Sequence, residues 1–285
     1  MSVFTFGLVV AAAFIHATWN LLAKQTHGKA AFLWLVAVSS ATMYGPLVGA
    51  FILWRQPKLN GTELFFIAGS AFIHFAYFLI LQKGYRVADL SIVYPLARGT
   101  APIVSTLGAI AIFGEHPSST ALFGIFLIVV GILILTSGGY QSLQALNKGR
   151  FFGMLTGMTI AAYTLWDKHA VSVVMLSPLI LDYGSTLARV AFLMPVAFRK
   201  QKEVRAEWRK HRSQVLGVAF LNPLSFILVL IALIHSPVSY IAPARELSIL
   251  FGVLLGGRLL YETDTSKRVF ASILMLGGIA ALTLG

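Results

Sequence analysis

The chain has 285 residues, of which 58% are hydrophobic and 11% charged, and Lys and Arg outnumber Asp and Glu by 22 to 10. A soluble domain carries about 25% charged residues, so this composition excludes a disordered chain and argues against a soluble enzyme. The lack of Cys excludes a disulfide scaffold, a cysteine-ligated metal and a thiol nucleophile.

A hydrocarbon core of about 30 Å is crossed by about 20 mostly apolar helical residues. Ten stretches meet that length. The first five are Val3–Ala23, Ala31–Trp54, Glu63–Gln82, Ala88–Phe113 and Ser119–Ser137. The second five are Phe151–Asp167, Pro178–Phe198, Gln214–His235, Val238–Leu260 and Arg268–Leu284. The first has no basic residue before it and is followed by Lys24 and Lys29, so it reads as an inserted helix and not a cleaved signal. The most polar stretch, Arg199–Arg212, has room for a loop or a short surface helix. The sequence therefore predicts an all-α membrane protein of ten transmembrane helices with no soluble domain.

The positive charge follows the loops. The side shared with the termini carries Arg55, Lys58 and Lys168. The opposite side carries Lys24, Lys29, Lys83, Arg86, Lys148, Arg150, the basic run of Arg199–Arg212, Arg258, Lys267 and Arg268. Cytoplasmic loops hold the excess of Lys and Arg, which predicts a cytoplasmic Arg199–Arg212 segment, both termini outside, and the cell inner (plasma) membrane as location. No helix face is basic along its length, so no nucleic-acid partner is expected.

A shift of 147 positions, the distance from Trp19 to Trp166, also lays Asn20 on Asp167, His16 on Tyr163, Arg98 on Arg245, Glu115 on Glu262 and Gly131 on Gly278. One gap-free offset across rare residues indicates duplication, with repeats over 1–139 and 148–285. Five helices is an odd number, so the second repeat is inverted relative to the first. Inverted repeats around a midplane site are a signature of secondary transporters.

The chain resembles the EamA-type branch of the drug/metabolite transporter superfamily. The residues that carry the resemblance are His16-Ala17-Thr18-Trp19-Asn20, Tyr94-Pro95-Leu96-Ala97-Arg98-Gly99 and Phe113-Gly114-Glu115 in the first half. In the second half they are Trp166-Asp167-Lys168, Ala242-Pro243-Ala244-Arg245-Glu246 and Tyr261-Glu262. The resemblance covers the whole chain. It implies a basket of helices around a central cavity, with the fifth and tenth helices at the periphery, and a small polar metabolite as cargo.

Charged groups deep in a membrane are costly and mark functional sites. Arg98 and its repeat mate Arg245 each follow a proline, Pro95 and Pro243, which is expected to open the helix and free carbonyls. Guanidinium forks match carboxylate, phosphonate or phosphate. The alternative is a structural arginine paired with a buried carboxylate, with Glu246 able to neutralise Arg189 or Arg245. On the clamp reading, Arg98→Ala abolishes transport and leaves folding intact. His16, Trp19 and Asn20 share one helix face, as do Tyr163, Trp166 and Asp167. They read as cavity walls or as interfacial aromatics. Asp182 and Arg189 share a face of the seventh helix and read as an ion pair or a gating pair. His74 and Tyr77, Tyr94, Asn222 and Ser225 are further hydrogen-bonding candidates. His16, His74, Asp167, Asp182 and Glu246 are candidates for proton coupling. Glu115 and Glu262, at helix ends where they oppose the helix dipole, are expected to contact a neighbouring helix N-terminus. Gly131, Gly252, Gly256, Gly277 and Gly278 read as packing surfaces, and a homodimer through the fifth and tenth helices is an open alternative.

Together these features predict a secondary active transporter for a small zwitterionic or anionic metabolite, such as an amino acid or aminoalkylphosphonate. Alternatives are a carrier of an organic cation such as choline, or a channel or facilitator. No metal or cofactor is called for, and no HExxH, GxSxG or P-loop supports an enzyme.

Overall fold

A computed structural model describes the chain except residues 25, 27–29, 58, 89, 137–142 and 261–264, and except side chains at 90–91, 95, 135–136, 143–146, 253–254, 256–260 and 265–268. Tyr261, Glu262 and the surroundings of Gly256 therefore lie outside the described residues.

All regular structure among the described residues is helical. The elements are α1 (Val3–Lys24), α2 (Ala30–Arg55), α3 (Gly61–Val87), α4 (Leu90–Phe113), α5 (Ser119–Thr136) and α6 (Leu143–Ser172). They continue with α7 (Pro178–Arg199), α8 (Gln201–His235), α9 (Val238–Ala244), α10 (Leu247–Leu260) and α11 (Thr265–Leu284). α9 and α10 together make the ninth span. α1, α2, α3, α4, α7 and α8 are long and apolar enough to cross a membrane by themselves, and α5 and α11 supply shorter apolar stretches. Phe65, Phe72, Phe123, Phe126, Phe270 and Ile273 are exposed on the outer surface, as a lipid-facing surface requires. The protein is a multi-pass membrane protein of ten helical spans.

The packing follows the repeat. With α1 matched to α6, α2 to α7, α3 to α8, α4 to the α9–α10 pair and α5 to α11, the main interfaces between the repeats have their mirrors. α1 packs on α8 as α6 packs on α3, α2 on α8 as α7 on α3, and α1 on α10 as α6 on α4. α2–α7 and α5–α11 join matched elements. Two inverted five-helix repeats thus surround one centre.

Small residues set the closest interfaces. A Cβ on Gly124 of α5 would lie 2.5 Å from the Gly278 carbonyl oxygen of α11, and one on Gly278 would lie 2.6 Å from that of Gly124. Gly131 likewise admits Met275 and the Ala271 carbonyl. These two glycine faces meet each other within one chain. α6 approaches α4 through Gly149, Gly153 and Gly157, where a Cβ would come within 2.8 Å of Ala88, 2.7 Å of Leu96 and 2.6 Å of Thr100. Their spacing of four puts them on one face.

One expectation is corrected. α4 stays helical through positions 95 and 102, so the fourth span is not opened. The ninth is interrupted, at Arg245–Glu246. There Pro243 has no N–H to give to the preceding turn. The chain tightens into three-residue bonds, Glu246 N–H to Pro243 O at 3.0 Å, Ser248 N–H to Arg245 O at 3.1 Å and Ile249 N–H to Glu246 O at 2.9 Å. Short tight turns inside helices mark hinges. The basic segment after Arg199 is a helix, continuous with α8 except for a kink at His211 (φ −126°, ψ 27°).

Candidate functional site

A cavity of about 290 Å³ opens between α1, α2, α3, α6, α7, α8 and the α9–α10 turn. Its polar groups come from both repeats: His16 and Trp19 of α1, His74, Tyr77 and Gln82 of α3, Tyr163 of α6, Asp182, Ser185 and Arg189 of α7, Asn222 of α8, and Arg245. Phe75, Phe78, Phe192 and Phe226 fill much of the remaining wall. Periodicity explains the α3 wall. Ala71, His74, Phe75, Phe78, Leu81 and Gln82 recur at spacings of three and four and so share one face.

The arginines divide. Arg98 does not line this cavity but a small pocket beside it, with His16, Arg245 and Ser248. Its Nε lies 2.8 Å from Glu246 Oε2, and its Nη2 donates to Ser248 Oγ at 2.8 Å. The Nε–H is not directed along the line to the carboxylate, so charge attraction holds the pair more than a formed hydrogen bond does. Glu246 is thus the ion-pair partner of Arg98, and not of Arg189 or Arg245. Tyr94 sits under the Arg98 guanidinium, 6.0 Å from ring centre to Cζ.

Arg189 and Arg245 border the main cavity, and neither makes an ion pair within 4.0 Å among the described residues. Asp182 and Arg189 feel each other's charge but form no contact pair, so the expected ion pair is absent. Two guanidinium groups and one carboxylate therefore face the same space unneutralised by contact.

The two predicted polar-aromatic faces are only partly at the cavity. His16 and Trp19 line it and meet edge to face at 4.8 Å. Asn20 is exposed and turns its amide back to the His16 carbonyl at 2.7 Å. Tyr163 lines the cavity and stacks on His74 at 4.2 Å. Trp166 points away, donating its indole N–H to the Phe66 carbonyl at 2.9 Å and packing on Phe66 at 4.8 Å. It lies in a notch left by Gly69, whose missing Cβ would overlap the indole. Asp167 is buried behind the cavity wall, 3.8 Å from His74.

Glu115 has the structural role expected of it. Gly114 adopts a left-handed backbone (φ 64°) that favours glycine, and the turn brings the Glu115 carboxylate to the start of α9. It accepts from Val238 N–H at 2.7 Å, Ser239 N–H at 2.9 Å and Ser239 Oγ at 2.6 Å. On the other side of the same turn Lys168 Nζ donates to the Leu233 and Ser236 carbonyls at 2.5 and 3.2 Å. An anion at the start of α9 and a cation at the end of α8 both match the helix dipoles. They fix the turn from which the interrupted ninth span departs.

Sequence reasoning missed Ser70, whose carbonyl oxygen lies 2.9 Å from His74 Nδ1, as well as Ser248, Gln82 and the phenylalanine wall. The α3 periodicity could have revealed the wall and Gln82. Ser248 has no local signal, because only the tertiary fold brings it to Arg98.

Among solved structures, one crystal structure of a protein is similar over 98% of both chains, with a TM-score of 0.76 at 14% identity. That likeness supports the fold. No curated protein matches the sequence. The model of the EamA-like transporter family matches twice, over residues 4–137 and 147–284. Those two matches, one for each five-helix repeat, show that the chain belongs to the EamA-like transporter family, a family of drug/metabolite-type membrane transporters.

Proposed function

We propose that the protein is a secondary transporter of a small zwitterionic or anionic metabolite, such as an amino acid or aminoalkylphosphonate. One observation carries this reading: Arg189, Arg245 and Asp182 border one cavity without contact ion pairs among the described residues. Unpaired charges in a membrane protein cost several kcal/mol, roughly 2.5–3.5 each on insertion scales, and a ligand with both charges offsets that cost. Arg245 is the primary anion contact and Asp182 meets the amine, while the aromatic wall holds the apolar body. The cavity volume suits a small metabolite and not a drug-sized one. Alternating access follows from the inverted repeats, with the Arg245–Glu246 interruption as the point where the halves flex. The carrier is placed in the plasma membrane with both termini outside and the basic start of α8 in the cytoplasm, on the distribution of Lys and Arg.

A cation carrier is the second reading, favoured by Trp19, Tyr77 and Tyr163 as cation–π partners. Two arginines in the same cavity oppose it. The test is thermal stabilisation of the purified protein by anions, zwitterions and cations, since a ligand of the folded state raises its melting temperature. Zwitterions and anions are expected to stabilise the wild type and to lose that effect in Arg245→Ala. Stabilisation by cations alone, unchanged in Arg245→Ala, overturns the zwitterion reading.

A further inference from the structure

His74 presents its two ring nitrogens to different partners. Nδ1 lies 2.9 Å from the Ser70 carbonyl oxygen, with the Ser70 hydroxyl farther off at 3.4 Å. A carbonyl oxygen only accepts, so Nδ1 carries a hydrogen. Nε2 then faces Asp167 Oδ2 at 3.8 Å. A neutral ring of this tautomer would turn a lone pair toward a carboxylate, and two acceptors repel. The arrangement is stable when one proton sits on this edge, as imidazolium beside carboxylate or as imidazole beside carboxylic acid. In both forms the pair is neutral. Without that proton it carries a negative charge away from water.

The two residues are not equally placed. The His74 side chain is 16% exposed and borders the cavity, whereas that of Asp167 is 1% exposed and sits behind it. Tyr163 stacks on the His74 ring and Phe226 meets it edge-on at 5.3 Å, which holds the ring plane. Charges reach the pair from two elements: Arg245 acts on both residues, Arg189 of α7 on His74, and Asp182 of α7 on Asp167. Tyr77 and Tyr163 are the neighbouring phenols. Arg98 of α4 acts on those two tyrosines, and α8 brings the uncharged Asn222 and Phe226 to the cavity wall. In the first repeat the position matching Asp167 is Asn20, an amide that cannot hold this proton.

We propose that His74 and Asp167 form a proton-coupling site, in which one proton enters and leaves through His74 from the cavity and is held between the two side chains. This rests on the carrier reading above. Because Arg245 acts on both residues, an anionic group bound to Arg245 removes a positive charge that opposes protonation. Asp182 acts on Asp167 and not on His74, so an amine bound to Asp182 offsets only part of this effect. Proton and ligand therefore bind with positive cooperativity, and by reciprocity each tightens the other. The proton is taken up with the cargo on one side and released to water on the other.

The direct test is nitrogen NMR of the full chain, labelled on its seven histidines and reconstituted in lipid nanodiscs, with the His74 signal assigned by its loss in His74→Gln. The expected result is a hydrogen fixed on Nδ1 and a single titration at Nε2 between roughly pH 5 and 8, displaced in Asp167→Asn. A His74 signal that is pH-invariant and identical in Asp167→Asn overturns the proposal. The functional arm uses proteoliposomes with alanine and 2-aminoethylphosphonate as probes. Gradient-driven accumulation divided by counterflow exchange is expected to fall about tenfold in Asp167→Asn, equivalent to 1.4 kcal/mol. An unchanged ratio counts against the proton site. Loss of every flux from the wild type, with the NMR titration intact, instead removes the carrier reading.

Discussion

Arg98 of the first repeat lies 2.8 Å from Glu246 of the second, and Glu246 is part of the turn that interrupts the ninth span. The charge that sequence symmetry marks as a ligand clamp is thereby also a tie between the two halves. Removing one side of a buried ion pair costs about 3–5 kcal/mol, because the remaining charge is stranded. Arg98→Met and Glu246→Gln are each expected to lower the melting temperature sharply. The double variant Arg98→Met/Glu246→Gln is expected to recover much of the loss. Additive losses in that cycle would dismiss the tie. The earlier expectation that Arg98→Ala leaves folding intact is revised accordingly.

Asp182 faces the cavity with no contact ion pair. Asp182→Asn is expected to weaken stabilisation by zwitterions about tenfold in apparent Kd, about 1.4 kcal/mol, while simple anions stabilise it as well as before or better. Thermal titration with alanine and with acetate checks this. An equal loss for both ligands would place Asp182 in the scaffold.

The Glu115 carboxylate takes three hydrogen bonds from the start of α9. Hydrogen bonds to a charged group are worth about 1.5–3 kcal/mol. Glu115→Ala is expected to lower stability by about 2 kcal/mol, and Glu115→Gln by less because one amide oxygen still accepts. Amide hydrogen exchange at Val238 and Ser239 should rise in both. Protection that stays at the wild-type level would contradict the capping role.

Trp166 fills the space at Gly69 and bonds to the Phe66 carbonyl. Gly69→Leu is expected to separate α3 from α6 and destabilise the protein by about 1–3 kcal/mol, the usual cost of overpacking. Adding Trp166→Ala should restore part of that loss by vacating the notch. Gly69→Leu with wild-type stability would mean that the notch is not filled in the membrane.

Hydrophobic runs and one repeat offset were enough to read ten spans, because membrane insertion constrains every span locally. The same offset pointed to Arg98, Arg245 and Glu115. What it could not reveal is the difference between matched residues. Trp19 lines the cavity and Trp166 does not, because Gly69 leaves a notch for the latter. Pro243 interrupts its helix, while the backbone is helical straight through Pro95. The Gly149, Gly153 and Gly157 stripe was visible at its spacing of four but lay across the start of the sixth span, away from the polar residues that drew attention. Ion-pair choices such as Arg98 with Glu246 depend on contacts 148 positions apart in the chain and leave no local pattern.

The glycine stripe of α6 bears on how the protein is made. α6 falls short of the apolarity that lets six other helices span a membrane by themselves, since it carries Lys148, Arg150, Asp167 and Lys168. Its close fit against α4 supplies what lipid solvation does not. During synthesis the first repeat is therefore expected to act as a template for the second, with α6 settling in the bilayer against α4. Co-expressed as two separate chains, the halves are expected to accumulate together, while the second half alone is expected to be degraded.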